Sequence, residues 1–279
     1  MQATTGSFGT ADGLTLFTRS YLPGGEARAA VIVSHGYAEH SGRYQAFAEA
    51  LTAKGYAVYA LDYRGHGRSG GKRASLRVFD EYVDDLARFI DRVRETRPHP
   101  PRFLFGHSVG GLVALHLVLE YPEKVEGLAI TGAYLHNAAS VSPPLVRAAK
   151  VLSRLAPDLP VQELDTGALA RDPAVVQAYR NDPLVYHGKV RARLGYELLR
   201  TGPYVVQRAG SIDLPVLLQH GTADRLSATS GAQAIFAELG SSDKTLKLYE
   251  GAFHEILNDY GKEEVLADLL DWLGARANP

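Results

Sequence analysis

The sequence predicts an α/β fold, a mostly parallel central sheet wrapped by helices, on three observations. Short runs rich in β-branched residues alternate with longer stretches at helical spacing. Several of the short runs are apolar throughout, as strands covered on both faces are. The alternation breaks once, over residues 134–210, and then resumes.

In chain order, Leu14 to Tyr21 alternates like a half-buried strand, the second arm of a hairpin turned at Asp12-Gly13. Ala30 to Ser34 is a continuous apolar run and reads as a buried parallel strand. Tyr44 to Lys54 reads as a helix stopped by Gly55, and Ala57 to Leu61 as the next strand. From Val78 to Thr96, apolar residues at 79, 82, 83, 86, 89, 90 and 93 keep helical spacing. Arg102 to Gly106 is a strand feeding a helix from Ser108 to Tyr121, which Pro122 ends. Gly127 to Thr131 is a further strand. Pro143, Pro144, Pro157, Pro160, Pro173, Pro183 and Pro203 then punctuate short helical pieces without a clear strand. Strand Pro215 to Gln219, helix Thr229 to Leu239, strand Thr245 to Tyr249 and helix Lys262 to Gly274 complete the pattern. The expected division is a core of residues 1–133 and 211–279 carrying a helical cap, residues 134–210.

Composition narrows the function classes. The apolar share of 46% and charged share of 22% are those of a soluble globular protein able to bury a sizeable core. A formal net charge of -1 gives no electrostatic footprint for nucleic acid, and no nucleic-acid partner is expected. Without cysteine, disulfides, thiolate metal sites and a cysteine nucleophile are excluded. No run approaches the roughly 18 apolar residues of a spanning helix, and the first residues lack a signal-peptide pattern. A cytoplasmic protein is the expectation.

The chemistry centres on Gly106-His-Ser-Val-Gly110, a G-x-S-x-G pattern between a strand and a helix. A sharp turn there forces the Ser108 hydroxyl into the cleft, and the helix aims its positive end at a developing oxyanion. A serine hydroxyl needs a base, and past Asp224 the only histidine is His254, in a loop just after the last strand. Asp224 follows the strand ending near His220, so both partners stand at carboxyl ends of parallel strands, where open α/β sheets place their sites. Asp243 precedes its strand, Asp259 breaks the chain order, and Asp62 comes before the serine and suits ordering of the loop Arg64 to Gly71. The expected triad is Ser108, Asp224 and His254. Val109 N–H and Tyr37 N–H, beside His35-Gly36, are the expected oxyanion donors.

The stretches Ser34 to Tyr44, Leu61 to Gly70, Gly106 to Gly111, His220 to Arg225 and Ala252 to Glu255 resemble the monoacylglycerol lipase / lysophospholipase family. The cap stretches Leu159 to Asp165 and Asn181 to His187 resemble its bacterial members. The resemblance implies an α/β-hydrolase fold with a mobile helical cap, hydrolysing monoacylglycerols to glycerol and fatty acid without a cofactor or metal. It places the triad and both oxyanion donors on the residues named above, and Glu39 and Arg43 near the glycerol head group. From the residues alone, that pair reads equally as a surface helix cap. Two departures stand out: Val109 where the family has Met, and Leu257 where mammalian members carry a second histidine.

Lysophospholipase, general carboxylesterase and a catalytically silent ligand-binding protein of the same fold are the alternatives. Of the other histidines, His35, His66, His107, His116 and His220 read as structural. In the cap, Leu145, Val146, Ala149, Val151, Leu152 and Leu155 form an apolar face, suited to packing on the core or to docking on a lipid aggregate or membrane. The expected partner is a small lipid or ester, and the sequence does not set the oligomeric state.

Overall fold

The computed structural model describes residues 3–96, 101–135 and 142–277. Among these residues ten strands form in chain order: β1 (Thr4–Gly9), β2 (Thr15–Tyr21), β3 (Ala30–Ser34), β4 (Ala57–Leu61), β5 (Arg102–His107), β6 (Gly127–Thr131), β7 (Pro160–Gln162), β8 (Val190–Arg191), β9 (Val216–Gly221) and β10 (Lys244–Tyr249). The main sheet runs β1-β2-β4-β3-β5-β6-β9-β10. The hairpin β1-β2 joins antiparallel, and every pairing from β4 to β10 is parallel.

The apolar strands bury both faces because helices lie on both sides. On one side α2 (Asp80–Thr96) and α3 (Val109–Glu120) pack over Ile32, Leu104, Leu128, Ile130 and Leu218. On the other, α1 (Gln45–Ala53) and α8 (Lys262–Gly274) cover Val31, Val33, Phe103, Phe105 and Leu217 with Phe47, Leu51, Trp272 and Leu273. Successive residues of one strand thus feed two separate cores, which is why the run must be apolar throughout. Strand order reverses between β3 and β5, whose register pairs Ser34 with Gly106. Their carboxyl ends therefore open level with one another at the topological switch point, the crevice where such sheets bind ligands.

Between β6 and β9 lies a helical insertion containing α4 (Pro143–Leu155), α5 (Pro173–Asn181) and α6 (Ala192–Arg208). Residues 136–141 of the expected cap fall outside the described residues. Two readings of this region are corrected. It does contain strands, since β7 and β8 pair antiparallel, but at three and two residues they are too short to show a period. Pro203 does not end a helical piece, because α6 runs through it. The lost N–H bond is offset by a buried stripe of Leu194, Leu198, Thr201 and Val205, part of it packed over α3. A further helix, α7 (Thr229–Glu238), follows β9 and precedes β10.

Candidate active site

Ser108 sits between β5 and α3 at φ 54° and ψ −120°, a backbone region that a residue with a side chain occupies only at a cost. The neighbouring glycines make the turn possible. A Cβ on Gly106 would lie 2.7 Å from the Gly111 Cα, and one on Gly110 would overlap the Ser34 and His35 carbonyls. The strain is held in place by Ser108 N–H donating to the Thr131 carbonyl at 3.0 Å and by Ser34 Oγ donating to the Gly110 carbonyl at 2.8 Å. Val109 heads α3, where the first N–H groups have no intrahelical acceptor.

The loop after β3 approaches the same point. A Cβ on Gly36 would stand 3.3 Å from the Ser108 Cβ, so glycine is what lets this loop close on the elbow. Gly36 N–H donates to Glu39 Oε1 at 2.6 Å, and Ala38 takes φ 68°. His35 supports the loop: its Nδ1 meets the Gly36 carbonyl at 2.7 Å and its Nε2 accepts from Tyr63 N–H at 3.0 Å. Burial pushes its imidazole below the usual value and favours this neutral form. Tyr37 lines the resulting cleft.

Asp224 and His254 meet across the loops after β9 and β10. His254 Nδ1 lies 2.7 Å from Asp224 Oδ2, the arrangement in which Nδ1–H donates and Nε2 is left as the base. The other oxygen, Oδ1, accepts from Leu226 and Ser227 N–H at 2.8 and 2.9 Å. Burial raises the Asp224 carboxyl, but hydrogen bonds from His220 and His254 outweigh it and hold the group well below the usual carboxylate range. His220 Nε2 also meets the Ser227 carbonyl at 2.9 Å. Gly132, at φ 54°, passes beneath His254, and a Cβ there would lie 3.2 Å from its Nδ1.

The structure thus gathers Ser108, Val109, Tyr37 and His254 around one cavity of about 710 Å³. Its outer wall comes from the insertion: Leu145, Leu152, Val161, Val190, Gly195 and Leu199 among others. Such a lining fits an apolar chain better than a charged ligand. The rival carboxylates are engaged elsewhere. Asp243 pairs with Arg276, Asp259 holds Arg171 and three backbone N–H groups, and Asp62 accepts from Ser41 and Arg68 N–H, ordering the glycine-rich loop as its position suggests.

Glu39 and Arg43 lie elsewhere than a surface pair would. Glu39 is buried and the Arg43 side chain only 12% exposed, and Arg43 bridges Glu39 Oε2 at 2.7 Å and both oxygens of Glu255 at 2.7 Å. Glu39 borders the main cavity, whereas Arg43 lines a second one of about 420 Å³. Burial raises the Glu39 carboxyl, yet Arg43 and then His107 and His35 bring it down to about 2. Sequence reasoning missed Glu255, His220 and Gly132. Glu255 had a signal in being adjacent to His254, but its partner Arg43 is 212 residues away. His107, inside the elbow, is buried neutral, its Nδ1 3.0 Å from Thr131 Oγ1 and its ring 4.8 Å from that of His254.

A family model described as serine aminopeptidase, S33, matches residues 25–261. The monoacylglycerol lipase of Mycolicibacterium smegmatis is 40% identical over 267 residues, 96% of this chain and 95% of that protein. The human monoglyceride lipase is 38% identical over 245 residues, 88% of this chain and 81% of that one. Among solved structures, the Paleococcus ferrophilus monoacylglycerol lipase superposes with a TM-score of 0.80 at 34% identity, covering 99% of both chains.

Proposed function

Because the chain belongs to the serine aminopeptidase, S33, family of α/β-hydrolases, together with the monoacylglycerol lipases it resembles, we propose that it hydrolyses monoacylglycerols to glycerol and free fatty acid. The observation that carries this reading is a strained serine and an aspartate-bound histidine opening into one largely apolar cavity.

His254 Nε2 takes the Ser108 Oγ proton as Oγ attacks the ester carbonyl, while Tyr37 and Val109 N–H groups hold the oxyanion. Asp224 keeps Nδ1 protonated and balances the charge that forms on the ring. His254 then returns the proton to the departing glycerol oxygen. Water, activated by the same imidazole, cleaves the acyl-enzyme and releases the fatty acid. The insertion, residues 134–210, serves as a cap whose inner face takes the acyl chain. On its outer side α4 exposes Val151 and Leu155 beside Arg147, Lys150 and Arg154, a pairing suited to an anionic lipid surface. Among the described residues no helix is long and apolar enough to cross a membrane.

The test is a panel of mono-, di- and triacylglycerols, lysophospholipid and short p-nitrophenyl esters, assayed with wild type and Ser108→Ala. Monoacylglycerol should be turned over fastest, and the variant should fold yet be inactive on every ester. Full turnover by Ser108→Ala overturns the mechanism, and a preference for lysophospholipid or simple esters overturns the substrate.

A further inference from the structure

Three separate segments meet at one buried ion cluster beside the reaction centre. Glu39 belongs to the loop after β3, Arg43 to the turn that follows it, and Glu255 is the residue after His254. Glu39 Oε1 accepts from Gly36 N–H at 2.6 Å and from Tyr44 Oη at 2.7 Å, so its carboxylate pins the loop that carries Tyr37. Arg43 passes that constraint to both oxygens of Glu255, whose Oε2 also accepts from Asn258 Nδ2 at 2.9 Å. Glu255 N–H donates to the Leu169 carbonyl at 2.8 Å, and the Arg43 guanidinium stands 4.8 Å from the Tyr179 ring, so the insertion is tied in as well.

Two carboxylates and one guanidinium leave the cluster one negative charge in excess. Both carboxylates border the main cavity, while the cation that pairs them faces away into the second one. The charged and titratable groups around His254 are Asp224 on its Nδ1 side with His220 behind, His107 across the elbow, and this cluster along its own loop. Among the described residues the nearby cations are Arg43, already shared between two carboxylates, and Arg225, which lines the same cavity and pairs with Asp165. With Nη1 and Nη2 both donating to carboxylates, Arg43 has little left for a substrate head group.

We propose that Glu255 is a positioning residue for acyl transfer, which rests on the ester-hydrolase reading above. Paired with Arg43, it locks the His254 segment against the loop bearing Tyr37 and supplies an uncompensated negative charge that favours the imidazolium formed at His254. The geometry of base and oxyanion donor is then set by one strut, and Glu39 and Arg43 act through it rather than by touching glycerol.

The test is a kcat and KM measurement on a short p-nitrophenyl ester from about pH 5 to about pH 9, with wild type, Glu255→Gln, Glu255→Asp and Ser108→Ala. Glu255→Gln should lower kcat about tenfold or more with KM changed by less than about threefold. It should also move the acid limb of kcat/KM to lower pH, because a negative charge beside the imidazolium is gone. Glu255→Asp, shorter but still charged, should lose kcat while keeping the wild-type acid limb. A role in folding alone moves neither limb. Should Glu255→Gln not fold, Glu39→Gln removes the same charge from the other arm of Arg43 and must shift the acid limb in the same direction. Wild-type kcat and an unmoved acid limb in the glutamine variant overturn the proposal while the ester-hydrolase reading stands. Wild type no faster than Ser108→Ala would instead defeat that reading.

Discussion

His220 Nε2 lies 3.2 Å from Asp224 Oδ2, the same oxygen that His254 Nδ1 reaches at 2.7 Å. One carboxylate oxygen thus serves two imidazoles, and both side chains of the His220–Asp224 pair are fully buried. Asp224→Asn should cost about 10³- to 10⁴-fold in kcat, since an amide presents the wrong group to Nδ1. His220→Phe, which removes only a flanking donor, should cost about tenfold at unchanged KM. Steady-state kinetics on both variants checks the ranking, and equal losses would contradict it.

The two glycines that flank the cleft should fail in different ways. A Cβ on Gly110 meets the Ser34 and His35 carbonyls, which are backbone and cannot yield, so Gly110→Ala should destabilise by about 3 kcal/mol or prevent folding. A Cβ on Gly36 falls 2.9 Å from Glu39 Oε1, a side-chain atom that gives way only by loosening its bonds to Gly36 N–H and Tyr44 Oη. Gly36→Ala should fold, with its oxyanion loop displaced and kcat reduced about 10²-fold. Thermal unfolding and kinetics run side by side separate the two outcomes.

Much of this arrangement was legible in the sequence, and what was not has physical causes. Strands β3 and β5 declared themselves because their central residues, Val31 to Val33 and Phe103 to Phe105, feed two cores in alternation and are apolar in succession. Helix α8 was read from Lys262 to Gly274, as found. Asp224 and His254 followed from chain order and strand ends, both local properties. The pair β7-β8 was invisible because three residues carry no period. The burial of Glu39 and Arg43 was equally hidden, since it depends on Glu255, a partner brought near only by the completed sheet.

Stability should fall with acid earlier than carboxylate protonation alone would bring about. In the folded chain burial lowers His107 to about 4 and His66 to about 3, whereas the unfolded imidazoles titrate near 6.5. Between those values the unfolded chain binds more protons, so stability is full above about pH 6.5 and is lost as pH drops. Glu39, held at about 2, adds a second loss below about pH 4.5 because its charged form is the paired one. The midpoint of thermal unfolding should be flat from about pH 7 to 8 and decline by about pH 5.5. His66→Gln, which keeps a donor for the Arg64 carbonyl but cannot titrate, should shrink the decline above about pH 4.5. An unchanged slope would remove His66 from the account.

The acyl-chain limit should be adjustable from Gly195, a helical glycine of α6 on the cavity wall. A Cβ there meets only Val161 and Val190 methyls at 3.8 Å, ordinary contact distances, so a larger side chain enters empty space. Each methylene of substrate buried in the cavity is worth about 0.8 kcal/mol, about fourfold in kcat/KM, until the cavity is full. A series of p-nitrophenyl esters should therefore climb by that factor per methylene and then level off. Gly195→Leu should bring the plateau forward by several carbons while leaving the shortest esters at wild-type rates. The same change replaces a poor helix former and should raise stability by about 0.5–1 kcal/mol. A variant that is more stable yet rejects only long chains fits a cavity filled by the acyl tail. If its chain-length profile overlaid that of wild type, the tail would have to lie elsewhere.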